Sequence, residues 1–184
     1  MQARSVRYSQ ATLTELMIPS YANFGGKIHG GILLSLIDKV AYSCASRHAG
    51  NYCVTVSVDT VDFLQPVEVG DLVSLHASVN YVGRSSMIIG IRVVAEDVRN
   101  GVQRHTNTSY VTMVAKGEDD MPTMVPPLLL ETEEDGRRYM EAIKRKELKD
   151  RYRQEFALQK GRLNLVGHTE DLKNERCVLA WEQQ

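Results

Sequence analysis

The sequence predicts an α+β fold in which a curved antiparallel sheet of about five strands wraps around one long central helix, and three observations predict it. First, Ile32–His48 is periodic at ~100° per residue, with Leu33, Leu34, Leu36, Ile37, Val40, Ala41, Cys44 and Ala45 on one arc about half the circumference wide. That arc is broader than the ~100° stripe of an ordinary surface helix, so the helix is wrapped by its surroundings. Second, four strand segments follow between residues 52 and 115, the last four elements before the linker, joined by short connections that make neighbours antiparallel. Third, a short strand precedes the helix. Consecutive strands pair, and one face of their sheet must cover the helix. A single sheet does not cover so wide an arc, so a second copy of the chain is expected to complete the burial.

The elements follow in order. Residues 1–10 are polar and expected to fray. Thr12–Met17 reads as a strand that Pro19 ends. A glycine-rich stretch, Asn23-Phe24-Gly25-Gly26-Lys27-Ile28-His29-Gly30-Gly31, leads into the long helix, which Ala49-Gly50-Asn51 closes. In Tyr52–Phe63 the residues Val54, Val56 and Val58 alternate with Thr55, Ser57 and Asp59, which predicts a strand with one buried face. Pro66 and Gly70-Asp71 mark a turn. Leu72–Val82 alternates again, with Val73, Leu75, Ala77, Val79 and Tyr81 on one side. Gly83-Arg84-Ser85-Ser86 is a tight connection to Met87–Val98, whose inner face carries Met87, Ile89, Ile91 and Val93. Asn100-Gly101 is a hairpin signal, and Val102–Ala115 is the last strand.

Composition changes after that strand. Asp119–Pro127 is a polar linker, and Glu131, Glu133, Glu134 and Asp135 precede the basic segment Arg137–Arg162. Acids at a helix start and bases farther on complement its dipole. Leu148, Tyr152 and Phe156 mark a narrow apolar stripe. The organisation expected is a domain over 1–127 and a C-terminal charged helix with a polar tail over 128–184.

The formal net charge of −1 in 184 residues argues against a nucleic-acid partner. No 18-residue apolar run predicts a membrane span, and the first residues lack the apolar core of a signal peptide. Cys44, Cys53 and Cys177 form an odd set without framework spacing, which reads as a reduced, cytoplasmic protein. Cys44, His48 and Cys53 have ligand-like spacing, but Cys44 falls inside the apolar arc, where a buried thiol is ordinary, and no metal is expected. The sequence contains no G-x-S-x-G, H-E-x-x-H, G-x-x-x-x-G-K-[ST] or G-x-G-x-x-G motif.

The start of the long helix has two readings. No Ser, Thr, Asp or Asn stands there to cap it, so its first amides and partial positive charge suit an oxyanion or phosphate. Alternatively, Gly30 and Gly31 only let the chain turn. Asp38 is the one acid on the helix and lies at the edge of the apolar arc.

An ordered set of motifs resembles the hot dog-fold acyl-CoA thioesterases, and within them the cytosolic acyl-CoA hydrolase branch. The set comprises Asn23-x-x-Gly26-x-x-His29-Gly30-Gly31, Leu36-Ile37-Asp38, Val54-Thr55-Val56-Ser57-Val58-Asp59 and Phe63-x-x-Pro66-Val67-x-x-Gly70-Asp71. Gly83-Arg84-Ser85-Ser86-Met87, Thr106-Asn107 and Val125-Pro126-Pro127 complete it. The likeness covers roughly residues 10–155. Lys39 departs from it, because an acid or amide commonly follows the helix aspartate.

The resemblance implies hydrolysis of fatty acyl-CoA to free acid and CoA, a place in fatty acid metabolism, and a hexamer built as a trimer of dimers. It implies catalytic roles for Asn23 and Asp38. Thioester hydrolysis needs donors for the carbonyl oxygen and a carboxylate that attacks or activates water; the amides of Gly30 and Gly31 suit the first task and Asp38 the second. Arg84, Ser85 and Ser86 are the expected contacts to the phosphates of coenzyme A. No cofactor beyond that moiety is implied. Asp38 lies ~10 Å along the helix from Gly31 at 1.5 Å per residue, so the expected site is composite, with Asp38 supplied by a second chain. Two other readings stay open: a non-catalytic acyl-CoA sensor, and a hydratase or dehydratase that uses His29 as base.

Overall fold

The computed structural model describes residues 1–162, 172 and 175–179; the expectation of a loose tail over 163–184 lies largely outside them. The elements run β1 (Arg4–Ser5), α1 (Val6–Ser9), β2 (Ala11–Leu16), a 3-10 turn (Pro19–Tyr21), α2 (Gly30–Ala49), β3 (Cys53–Val58), β4 (Leu72–Val82), β5 (Ser86–Asp97), β6 (Val102–Ala115), β7 (Leu128–Leu129) and α3 (Glu133–Arg162). Five strands form one antiparallel sheet in the order β2-β4-β5-β6-β3. Helix α2 packs against all five. The predicted sheet around a central helix is the fold observed.

The core lies between α2 and the inner face of the sheet. Leu33, Leu36, Ile37, Val40, Ala41, Cys44 and Ala45 of α2 are buried against Val73, Leu75, Ile89, Ile91, Val93, Val111 and Met113. Of the expected arc only Leu34 stays out, 41% exposed, so the sheet of one chain covers the arc that was expected to need a second copy. The bounds of β4 and β6 coincide with the strands expected there, and Gly101 turns the β5–β6 hairpin at φ +65°.

Two further expectations fail. The N-terminal segment is ordered: β1 pairs parallel with β7, Val6 and Ser9 are buried, and the Arg4 guanidinium donates to the carbonyls of Arg47 (3.1 Å) and His48 (2.6 Å). A cation on the last carbonyls of a helix complements its dipole, and this long-range contact holds a segment that is locally polar. The strand expected over Tyr52–Phe63 ends at Val58, and its valine face is not buried. A bulge between Thr55 and Ser57 breaks the alternation. Val56 and Val58, on this edge strand, are 61% and 43% exposed.

The chain divides into two compact units, Met1–Ala142 and Ile143–Gln184. The first turns of α3 belong to the sheet unit: Tyr139 Oη donates to the Val82 carbonyl at 3.3 Å, its ring lies 5.2 Å from that of Tyr81, and Ala142 is buried. In the second unit Tyr152 and Phe156 stack on each other at 5.8 Å. Among the described residues no helix is long and apolar enough to cross a membrane.

Candidate active site

The loop before α2 is tied at both ends by backbone. His29 N donates to the Tyr21 carbonyl (2.8 Å) and Ile28 N to that of Val67 (2.9 Å). Tyr21 is itself anchored, its hydroxyl donating to Glu15; that carboxylate raises the phenol above its ordinary range. Inside the loop Asn23 forms a tight turn. Its Oδ1 accepts from Gly25 N (2.8 Å) and Lys27 N (3.2 Å), while its own N–H donates to the Lys27 carbonyl (2.7 Å). Gly26 completes the turn at φ +76°, a conformation that favours glycine. With Oδ1 occupied, Asn23 faces solvent as a donor through Nδ2.

The start of α2 does have a side-chain cap, and it is an unusual one. His29 Nδ1 accepts from Gly31 N at 3.0 Å. The Gly31 amide is therefore engaged inside the chain. A Cβ on Gly31 would sit 3.1 Å from Nδ1, and one on Gly30 would meet the Phe63 ring at 3.4 Å. Glycine at both positions keeps the helix start open to close approach.

Asp38 lies eight residues beyond Gly30, ~12 Å along the helix at 1.5 Å per residue. Its carboxylate is exposed and oriented: Thr55 Oγ1, on β3, donates to Asp38 Oδ1 at 2.5 Å. Thr55 Oγ1 also lies 3.1 Å from Met113 Sδ, on β6. Sequence reasoning did not single out Thr55. Its polar position in the alternation was visible, but the pairing with a carboxylate seventeen residues away depends on how β3 lies against α2.

Arg84, Ser85 and Ser86 form the β4–β5 turn. Ser86 pairs with Val114, which pairs with Val54; at ~4.8 Å per strand the turn stands about 10 Å from the β3 position next to Thr55. Arg84 and Ser85 line a cavity of about 430 Å³ with Pro122, Thr123 and Met124. Ser86 closes the turn, its carbonyl accepting from Gly83 N at 2.7 Å, and does not line the cavity. One chain thus holds two separate groups: Asn23 with the start of α2, and Asp38 with Thr55.

The cysteines stand apart from both groups. Cys44 and Cys53 are buried and free, and burial pushes the Cys44 thiol up to about 12. Among the described residues no group of three His, Cys, Asp or Glu is placed to hold a metal.

Residues 25–102 match the family described as the Thioesterase superfamily. The protein VdlD of Helicobacter pylori is 46% identical over 139 residues, 76% of this chain and 79% of that one. The uncharacterized acyl-CoA thioester hydrolase YkhA of Bacillus subtilis is 35% identical, over 85% of this chain and 92% of its own. Among solved structures, an apo-hexameric acyl-CoA thioesterase superposes with a TM-score of 0.80 at 37% identity, covering 83% of this chain and 97% of that one. The acyl-CoA hydrolase of Staphylococcus aureus, in complex with butyryl coenzyme A, coenzyme A and coenzyme A disulfide, superposes with a TM-score of 0.78 at 31% identity, over 86% and 97% of the two chains. Alanine variants of that hydrolase at one aspartate, one asparagine and one threonine have also been solved, the asparagine variant with coenzyme A bound. The sheet-wrapped helix, the matched span and these identities across nearly whole chains make one conclusion: this chain belongs to the thioesterase superfamily, with the hot dog fold.

Proposed function

We propose that this protein is an acyl-CoA thioester hydrolase that releases free fatty acid and CoA from a composite site. The observation that carries this reading is the Asp38–Thr55 pair, a single carboxylate at the edge of an otherwise apolar helix face, held by a hydroxyl from the next element. Asn23, Asp38 and Thr55 are spaced by fifteen and seventeen residues. The asparagine, aspartate and threonine replaced in the Staphylococcus aureus hydrolase have the same separations. The names of the relatives support acyl-CoA as the substrate.

The proposed roles fit the geometry. The Nδ2 group of Asn23 and the Gly30 amide point donors at the thioester oxygen, where charge develops. The Gly31 amide, expected as a further donor, is taken up by His29 Nδ1 in this state. Asp38 either attacks the carbonyl carbon, giving an acyl anhydride that water then hydrolyses to free acid and regenerated Asp38, or takes a proton from the attacking water; in both routes the C–S bond breaks and the CoA sulfur leaves as thiolate, then takes up a proton. Because Asp38 and Gly30 are ~12 Å apart along one helix, Asp38 and Thr55 come from one chain and Asn23 and the glycines from its partner. The assembly is a dimer or a multiple of it, and the hexameric relative supports six chains, which this reading arranges as a trimer of dimers. Arg84 and Ser85 hold phosphates of coenzyme A. The chemistry needs no cofactor beyond the substrate's own CoA, and the setting is the cytoplasm.

The hydratase reading loses ground on one contact: the Nδ1 lone pair of His29 already accepts the Gly31 N–H and does not serve as a base in that state. Thiol release measured across acyl-CoA chain lengths tests the proposal. Asp38→Asn should lower kcat by about 100-fold or more while CoA still binds. Wild-type turnover in that variant overturns it.

A further inference from the structure

The outer face of the sheet, opposite α2, contains a local construction that neither the core nor the proposed reaction uses. Gly90 sits in β5, the middle strand of five. Glycine inside a strand weakens it and often marks a close approach. Here the approach is visible: a Cβ at residue 90 would stand 2.3 Å from Asn80 Nδ2. A bulge in β4 between Val79 and Tyr81 makes Asn80 the extra residue, and its carboxamide lies across Gly90. Asn80 and Ser78 are polar and only 7% and 8% exposed, and Ser78 Oγ donates to Asn80 Oδ1 at 3.0 Å. That bond leaves Nδ2 as the donor of Asn80.

These residues floor a cavity of about 460 Å³. Its lining carries three arginines against one carboxylate. Arg137 and Arg138 pair with Glu134, and Arg137 also with Glu141. The Arg92 guanidinium has no partner among the described residues. His76 stands between β2 and Arg92, its Nδ1 3.2 Å from Thr12 Oγ1. None of Asn23, Gly30, Gly31, Asp38 or Arg84 lines this cavity.

We infer that this cavity is a second binding site, for a small anion of the phosphate class. An unpaired guanidinium supplies charge and paired donors for such oxygens. Carboxamide and hydroxyl donors from β4 and β2 approach from other directions, which suits a tetrahedral anion with several acceptor oxygens. The glycine, the bulge and the buried Asn80–Ser78 pair each weaken a sheet that would pack more simply without them, and a ligand-binding floor accounts for all three. The phosphate has two sources: a free anion, or the phosphates of coenzyme A reaching across from its own site.

Calorimetric titration with pyrophosphate at fixed ionic strength separates them. Wild type should bind one pyrophosphate per chain, with or without saturating CoA. Arg92→Ala removes an exposed side chain and should weaken binding at least tenfold. Asn80→Asp, nearly isosteric, puts a carboxylate on the floor and should do the same. Arg84→Ala should bind as wild type does. Undiminished binding in both Arg92→Ala and Asn80→Asp overturns the inference. Displacement of pyrophosphate by CoA, or its loss in Arg84→Ala alone, assigns the anion to the CoA site and overturns the second site while leaving the proposed hydrolysis standing.

Discussion

A carboxylate on an exposed helix face samples several rotamers, and only those facing the thioester carbon serve hydrolysis. The hydrogen bond from Thr55 selects one of them. Removing the hydroxyl leaves charge and fold in place but frees the rotamer, and misplacement by ~1 Å costs about 100-fold in such reactions. Thr55→Ala should therefore lower kcat by about 10- to 100-fold with KM changed less than about threefold, because Thr55 acts through Asp38. Thr55→Ser restores the donor and should recover most of the rate. A stopped-time thiol assay on the three proteins decides it; an Ala variant with normal kcat would mean that the bond does not matter in turnover. Asn23 was legible as a candidate because its motif has fixed spacing. In the structure its Oδ1 is occupied by a tight turn, which leaves Nδ2 as its donor. The cap by His29 was not legible, because imidazole is not among the side chains that usually cap a helix.

At the scale of elements, the legible parts were those fixed by local pattern. The bounds of β4 follow its alternation, which keeps Val73, Leu75, Ala77 and Val79 in the core; β6 matches its expected bounds although it is exposed at Val102 and reaches the apolar core only through Val111, Met113 and Ala115. The arc of α2 gives its burial. The N-terminal arm was missed because its order depends on partners far away in sequence: Arg4 on the end of α2, and β7. The same end of α2 holds His48, whose Nε2–H donates to the Pro126 carbonyl at 3.0 Å while Nδ1 is buried without a partner among the described residues. Burial lowers the pKa of this ring below its ordinary value; the Pro126 carbonyl opposes that and the nearby Arg4 adds to it. The unfolded chain takes up this proton near pH 6.5, so below that value it binds more protons than the folded chain. Stability is full above about pH 6.5 and declines as pH falls toward the lowered folded value. Urea midpoints measured from pH 7.5 to 5 should fall in wild type and fall less steeply in His48→Gln. Equal slopes would show that His48 does not carry this acid sensitivity.

The whole molecule is unfinished as a single chain. Strand β3 is an edge with β6 on one side only, and it exposes Val56 and Val58; the fully exposed Phe24 stands beside Asn23. Exposed apolar side chains on a strand edge invite pairing with another copy. The separation of Asp38 from Gly30 along α2 gives a second, independent reason for a partner. If the site is composite, Asn23→Ala and Asp38→Ala subunits, each inactive alone, complement one another. A mixed dimer then has one site with both residues intact and one site lacking both. Random exchange makes about half of the dimers mixed, so activity should return to about a quarter of wild type where sites act independently. Mass spectrometry of the mixture verifies exchange, and Asp38→Ala mixed with itself gives the background. Recovery near a quarter places the two residues of each site on different chains. Exchange without recovery returns both to one chain, and the distance along α2 must then be bridged by a movement of the Asn23 loop.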